Sequence, residues 1–385
     1  MSSEYFLNLQ HDLKRYGTGL PQLILDQQRF LANLKLVKQQ FKDQIYPRLV
    51  VKSLANIQLL QQAMTELQTK RLMVFHLPQL VDVLHHFPDA DILMGKPMPI
   101  RALEHFYHAH PHNRQANIQW LIDDVGRLNQ YLAFAQQQQI HLKINIEIDV
   151  GLHRGGVQSS EMFLAVLKKI VQYPQQLQFS GLMGYDAHVV KLPKIIKKPQ
   201  DAFAESQDIY QSYQELILKY YPELWHEGLC FNGGGSPTLL LHTQKSVCND
   251  VAFGSVLLKP SDFDLESLTE FQPALWLAIP VLKVIQPLQI PALELLSKLP
   301  IKQKAVFIYG GYWLADYVYP IGLKPHALYG RSSNQELLSI STKIDIHVDD
   351  YVIARPKQSE AILPQFAHLY CYQQHQLLRL ANMRE

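Results

Sequence analysis

Apolar residues recur along the middle of the chain with two different periods. At steps of three and four lie Phe30, Leu34, Val37 and Phe41; Ile57, Leu60, Met64 and Leu67; Leu128, Leu132 and Ala135; and Ile209, Tyr213, Leu216 and Tyr220. Each set puts its apolar groups on one stripe of an α-helix, the stripe that is buried. Among them are short apolar runs that read as strands: 48–54, 71–76, 91–96, 118–123, 142–150, 179–185, 230–234 and 251–257. Strands alternating with helices pair in parallel, because a parallel connection needs a crossover of about a dozen residues or more. Eight such units predict an α/β fold with a closed (β/α)8 barrel, and an open doubly wound sheet is the runner-up. The run 142–150 favours the barrel. Its Ile144, Ile146 and Ile148 share one face, and Lys143, Asn145, Glu147 and Asp149 the other. An open parallel sheet is apolar on both faces, whereas a barrel lumen can hold a hydrogen-bonded polar layer near its catalytic end.

After about Asp262 the rhythm changes. Runs at 281–285, 304–308, 343–348, 351–355 and 366–372 read as strands, with turns at Gly310-Gly311 and Asp349-Asp350 and few long helical patterns. The expected organisation is an N-terminal segment over 1–20 that could join the β-rich part, a (β/α)8 barrel over 21–265, and a C-terminal β-rich domain over 266–385.

Composition narrows the partners. The 36 Lys and Arg stand against 34 Asp and Glu, a formal charge of +2, and only 18% of residues are charged. Such a chain has no general attraction for nucleic acid or acidic membranes, so an anion must be held by a local site. The longest strongly apolar stretch, 274–282, contains Pro280 and falls far short of the roughly 20 residues that span a bilayer. No secretory signal is visible at Met1-Ser-Ser-Glu-Tyr-Phe, so a cytoplasmic location is expected. Cys230, Cys248 and Cys371 are never in a CxxC pair and read as buried reduced thiols.

Candidate chemistry lies where barrel strands end. Lys52 closes Arg48-Leu-Val-Val-Lys52. A lysine after three apolar residues can be held in a dry site as nucleophile or base, or can simply extend to solvent from a strand end. Its context is Asn232-Gly233-Gly234-Gly235-Ser236-Pro237-Thr238, directly after the seventh strand, where consecutive glycines let main-chain N–H groups converge on a phosphate. Gly254-Ser255 follows the eighth strand, and barrels frequently bind phosphate with these last two loops. Neither GxGxxG nor GxxxxGK[ST] occurs, which argues against dinucleotide and P-loop sites. A lysine at one strand end and a phosphate cradle at two others point to pyridoxal phosphate held as a Schiff base.

Four motifs then carry a resemblance. Lys52 in Val-Lys-Ser, 147–157 (Glu-Ile-Asp-Val-Gly-Leu-His-Arg-Gly-Gly-Val), 181–188 (Gly-Leu-Met-Gly-Tyr-Asp-Ala-His) and 232–236 (Asn-Gly-Gly-Gly-Ser) occur in the order of the alanine racemase-like (fold type III) pyridoxal phosphate enzymes. Within that fold the chain most resembles the D-threonine aldolase and D-serine dehydratase branch, also called amino acid deaminase/aldolase, from about Gly19 to the C-terminus. The resemblance implies that Lys52 binds the cofactor and then acts as the base at Cα. It implies that Arg154 meets the cofactor ring or its phenolic oxygen, that Tyr185 lies near the pyridine nitrogen, and that Gly233 to Ser236 with Gly254 and Ser255 hold the phosphate. A homodimer is also implied. In the same branch a divalent metal is bound by a C-terminal Pro-Asn-His-x-Cys/Asp segment; here Gln358 stands at the His position and Glu360 at the thiolate or carboxylate position. Their oxygens suit Mg²⁺ or Mn²⁺ better than zinc. Without the usual metal, the substrate β-hydroxyl falls to His188, His347 or Asp349.

The resulting expectation is a pyridoxal phosphate lyase that cleaves a D-3-hydroxy amino acid to glycine and an aldehyde. The alternatives are a dehydratase giving a 2-oxo acid and ammonia, a racemase, and a non-catalytic pyridoxal phosphate-binding protein. Two clusters read as surface features instead: His105, His108, His110 and His112 as a solvated loop, and Lys191, Lys194, Lys197 and Lys198 as a solvated loop or a lid that attracts carboxylates.

Overall fold

A computed structural model describes residues 3–41, 45–193, 195–286, 302–326 and 329–383. By the density of its contacts the chain forms two compact units, one of residues 34–256 with Met383, the other of residues 3–33 and 257–382. After an N-terminal helix (Ser3–Tyr16), the strands in chain order are β1 (Gln22–Asp26), β2 (Tyr46–Val50), β3 (Arg71–Val74), β4 (Asp91–Met94), β5 (Ile118–Ile122), β6 (Leu142–Glu147), β7 (Leu177–Gly184), β8 (Cys230–Gly233) and β9 (Asp250–Phe253). β2 to β9 pair in parallel and close on themselves as an eight-stranded barrel. The alternation in the sequence is therefore the (β/α)8 barrel, and each expected strand overlaps an observed one.

Helices start where the sequence supplies caps. The side chains of Asn56, Asp124 and Ser159 accept hydrogen bonds from the N–H groups of Leu59, Arg127 and Met162, the otherwise unpaired donors of a first helical turn. The apolar stripes face inward, with Leu60, Leu128, Leu132 and Tyr213 buried.

The barrel lumen is polar, as the two-faced run at 142–150 indicates. Arg48 on β2 is fully buried. Its Nε and Nη2 donate to Asp250 Oδ1 and Oδ2 at 2.7 and 2.9 Å, and its Nη1 donates to the carbonyls of Leu72 and Asp91 at 3.0 and 2.9 Å. Arg71 also donates to Asp250 Oδ2, at 2.9 Å. Asn145 donates to Gln119, and Gln119 to Asp91, so the layer runs across several strands. One irregularity interrupts the sheet. The β6–β7 register moves from Ile144↔Phe179 to Asn145↔Gly181, leaving Ser180 as an extra residue. Gly181 has φ +138°, and a Cβ there would sit 1.9 Å from the Cys230 carbonyl oxygen.

The second unit is β-rich. Its strands continue as β10 (Leu275–Ile285), β11 (Gln303–Tyr309), β12 (Ala315–Tyr319), β13 (Lys324–Pro325), β14 (Gln335–Ser341), β15 (Tyr351–Pro356), β16 (His368–Gln373) and β17 (Gln376–Ala381). They form a sheet in the order β13-β14-β11-β10-β1-β16-β17, with β15 beside β10 and β12 beside β15. Phe6, Leu9 and Leu13 of the N-terminal helix pack with Ile24, Trp276 and Tyr351 in its core. The N-terminal contribution thus reaches past residue 20 to include β1, which is buried throughout and pairs with β10 and β16. The expected strand at 343–348 is a turn and an open segment, in which the His347 N–H is taken by the Asp350 side chain rather than by a neighbouring strand. Among the described residues no helix is long and apolar enough to cross a membrane.

Asp250 is the nearer and more deeply buried of the two carboxylates on Arg48, the other being Asp91 at 3.4 Å, and removing its charge leaves the buried guanidinium with only the more distant one. Asp250→Asn is expected to cost about 3–5 kcal/mol. Burial opposes ionisation of Asp250, but the Arg48 and Arg71 guanidinium groups outweigh it and hold the carboxyl below its ordinary 3.8. A depressed folded value contributes stability above the unfolded value and loses it as pH falls through the folded one. Urea unfolding of wild type and variant should therefore show a wide gap at neutral pH that closes only in acid below the ordinary aspartate range.

Candidate active site

Three loops at the C-terminal ends of barrel strands are joined by hydrogen bonds. Lys52 lies on a single 3-10 turn (Val51–Leu54) directly after β2, half-buried, with Nζ 4.4 Å from the centre of the Phe75 ring. Its neighbour Ser53 accepts a hydrogen bond from the Ser255 hydroxyl at 3.0 Å, which ties the lysine turn to the loop after β9. That loop is tied in turn to the one after β8: the N–H groups of Gly254 and Val256 both donate to Ser236 Oγ, at 3.3 and 3.0 Å.

Two main-chain donors converging on one oxygen make the kind of cradle an anionic oxygen requires. The close approach depends on glycine. A Cβ on Gly254 would sit 2.8 Å from Ser53 Cβ and 2.9 Å from the Val50 carbonyl, and one on Gly235 would meet the Tyr185 ring at 3.1 Å. Asn232, at the end of β8, donates to Asp250 Oδ1 at 2.6 Å, so the glycine loop is continuous with the buried polar layer below it. The Tyr185 ring stands over Gly235 on one side and has the Arg154 guanidinium 4.8 Å from its centre. These residues fit pyridoxal phosphate: a half-buried amine, a main-chain cradle for phosphate, and an aromatic ring with a guanidinium beside it.

Carboxylates gather near Arg154. Glu147 is pushed up to about 7 by burial and by the neighbouring charges of Asp123 and Asp149, against the opposing pull of Arg154. Asp149 is held low in spite of its burial, because it accepts from the Gly151 and His153 N–H groups and from the His153 ring. His188 packs on this same loop, with a Cβ on Gly151 placed 3.1 Å from its Nε2. Burial lowers His188 from its ordinary 6.5, so it is neutral near pH 7. Its Nε2 lies 3.3 Å from Ser206 Oγ, and its buried Nδ1 has no hydrogen-bond partner among the described residues.

Other candidates lie elsewhere. His347 and Asp349 belong to a turn of the β-rich unit, where they are exposed. Gln358 precedes a short helix (Ser359–Ile362) of the same unit and spends its Nε2 on Asp262 Oδ2 at 2.9 Å; Glu360 accepts from the Ser359 hydroxyl at 3.2 Å. An amide used as a donor and a carboxylate engaged by its neighbour do not form a zinc donor set. No three His, Cys, Asp or Glu side chains are grouped for a metal among the described residues. His105, His108 and His112 are exposed at a helix end and the turn after it, with His110 half-buried between them. Lys197 pairs with Glu205, and Lys194 lies outside the described residues. What the sequence reading passed over is a buried pair behind the glycine loop, Asp186 and His242, with Nε2 2.8 Å from Oδ2. The only signal was an acid in the Tyr185-Asp186-Ala187-His188 motif and a lone histidine in an apolar helix.

The alanine racemase N-terminal domain family matches residues 25–262 of the chain. The 3-hydroxy-D-aspartate aldolase of Paracoccus denitrificans (strain Pd 1222) is 24% identical over 151 residues, which cover 38% of this chain and only 37% of that enzyme. The D-threonine aldolase of Filomicrobium marinum superposes with a TM-score of 0.72 at 14% identity, covering 94% of this chain and 96% of that one. The D-threo-3-hydroxyaspartate dehydratase of Delftia sp. HT23 gives the same TM-score of 0.72, again at 14% identity, over 95% and 97%. At these identities the structural likeness establishes the fold alone.

Carboxyl titration by carbon-13 NMR should find the Glu147 midpoint near 7. Because the Arg154 guanidinium opposes that rise, Arg154→Leu should move the midpoint higher; an unchanged midpoint would remove Arg154 from the carboxylate's surroundings.

Proposed function

Since the chain belongs to the alanine racemase N-terminal domain family, whose members use pyridoxal phosphate, we propose that it is a pyridoxal phosphate lyase that cleaves the Cα–Cβ bond of a D-3-hydroxy amino acid such as D-threonine. The products are glycine and an aldehyde. The observation that carries this reading is the hydrogen-bonded union of the Lys52 turn with the two glycine-containing strand ends. The aldolase of the curated relative supports the choice of reaction.

In this reading Lys52 anchors the cofactor. The donors that now meet at Ser236 Oγ, with the main chain of Gly233 to Gly235 and Ser255, hold its phosphate. Tyr185 and Arg154 line the ring. The bound cofactor supplies a conjugated system that accepts the electron pair released at Cα. The chain must itself manage two protons. Lys52 Nζ is the group to return a proton to Cα, and His188, neutral near pH 7, is the group to take one from the substrate β-hydroxyl. The positive charge of Arg154 offsets anionic character on the ring, while Glu147 and Asp149 limit how far it does so. Homodimer formation and a cytoplasmic location belong to the same proposal.

Purified protein supplied with pyridoxal phosphate should show a visible absorption band that Lys52→Ala removes. Incubation with D-threonine, D-serine and their L-forms, with and without a chelator, should give aldehyde and glycine from the D-substrate, and His188→Gln should lower kcat by about 10²-fold or more. Oxo acid without aldehyde would replace the aldolase by a dehydratase. Interconversion of D- and L-forms without cleavage would make it a racemase.

A further inference from the structure

The glycine loop after β8 is held from behind by a chain of hydrogen bonds that ends on a buried histidine. The Gly235 N–H donates to Thr238 Oγ1 at 3.2 Å, the Thr238 hydroxyl donates to Asp186 Oδ1 at 2.8 Å, and Asp186 Oδ2 lies 2.8 Å from His242 Nε2. On its far side His242 Nδ1 is 2.8 Å from Ser246 Oγ. Ser246 Oγ is already committed: it receives the Cys248 N–H at 3.0 Å and donates its one proton to Gln207 Oε1 at 3.1 Å. Gln207 Oε1 also receives the Val247 N–H at 2.8 Å, so it is an acceptor. With the Ser246 proton on Gln207 and Asp186 as carboxylate, the geometry accommodates a proton on each ring nitrogen of His242. The ring is 1% exposed and in direct contact with the loop. A Cβ on Gly233 would meet its Cε1 at 2.8 Å, and one on Gly234 its Cδ2 at 3.0 Å.

We propose that Asp186 and His242 are positioning residues for the phosphate site: the pair fixes the Gly233–Gly235 loop through Thr238 and holds an imidazolium–carboxylate pair directly behind it. The proposal rests on the pyridoxal phosphate reading above. Neither side chain is assigned a contact with the cofactor. They act through the main chain, as the supporting partners of a bound group do. The electrostatics agree with the proton count. Burial opposes the charge on His242, but the Asp186 carboxylate outweighs it and holds the group up to about 10. The other groups against the ring are the Phe203 side chain, edge to face at 4.8 Å, and Cys248. Asp186 is therefore the one carboxylate at hydrogen-bond distance from the ring among the described residues.

The test separates phosphate from ring. Apoprotein is titrated with pyridoxal phosphate, with pyridoxal, and with inorganic phosphate, followed by calorimetry and by the visible band. Asp186→Asn and His242→Gln should weaken pyridoxal phosphate and phosphate about tenfold or more, with pyridoxal affinity unchanged. Phosphate affinity of the wild type should also fall more steeply than that of His242→Gln as pH rises through about 10, since the wild type loses the imidazolium there in addition to the amines both proteins share. If circular dichroism shows either variant unfolded, Thr238→Val, which cuts the link while leaving the pair intact, should show the same selective loss. Equal weakening of pyridoxal and pyridoxal phosphate, or no weakening of either, would overturn the proposal. A wild-type protein that takes up neither compound would instead remove the cofactor reading on which it rests.

Discussion

A guanidinium at the centre of the barrel is the constraint on which the rest of this unit depends. Arg48 cannot shed its charge, so a fully buried position obliges the surrounding strands to supply acceptors. They do so from β3, β4 and β9 at once, through two carbonyls and the Asp250 carboxylate. The barrel must therefore close with these strands in one register. A slip by one residue would turn Asp250 or Arg48 outward and cost the other its closest charged partner, leaving Arg71 for the one and Asp91 for the other. Asp250 also receives Asn232, whose backbone begins the glycine loop. Stability and site geometry consequently share one carboxylate.

Above that layer the construction changes from side chains to main chain. The loops after β2, β8 and β9 are joined by Ser53, Ser236 and Ser255, small residues whose hydroxyls bridge backbones lying too close for anything larger. The glycines serve the same closeness: Gly254 lies against Val50 and Ser53, and Gly235 against Tyr185. Serine and glycine in these loops are thus packing requirements as much as chemical ones.

Much of this was legible in the sequence because it is written in short-range pattern. Eight apolar runs separated by helical stripes gave the barrel, and the alternation of Lys143, Asn145, Glu147 and Asp149 gave its polar lumen. Lys52 and the glycine loop stood out by their position at strand ends. The features that escaped depend on pairs distant in the chain. Asp186 and His242 are 56 residues apart, and neither is unusual among its own neighbours. β1 reads as an ordinary apolar run whose partners, β10 and β16, lie far along the chain. At 343–348 the alternation was present, but the His347 N–H bonds the Asp350 side chain instead of a neighbouring strand, and periodicity alone could not reveal that.

The extra residue in β7 decides which side chain reaches the mouth of the barrel. Before Ser180 the strand shares a face with Lys143 through Gln178; after it, Gly181 and Met183 stand opposite Asn145 and Glu147. Had the same residues paired one by one with no bulge, the alternation would have carried Gly184 and Asp186 toward the lumen and Tyr185 away from it. The bulge reverses the parity of the strand. Tyr185 is thereby turned toward Gly235 and Arg154, and Asp186 is turned behind the loop toward His242. Deleting Ser180 would straighten the strand and leave both faces as they are, whereas pairing the same residues one by one without the bulge would exchange the inner and outer roles of two adjacent side chains.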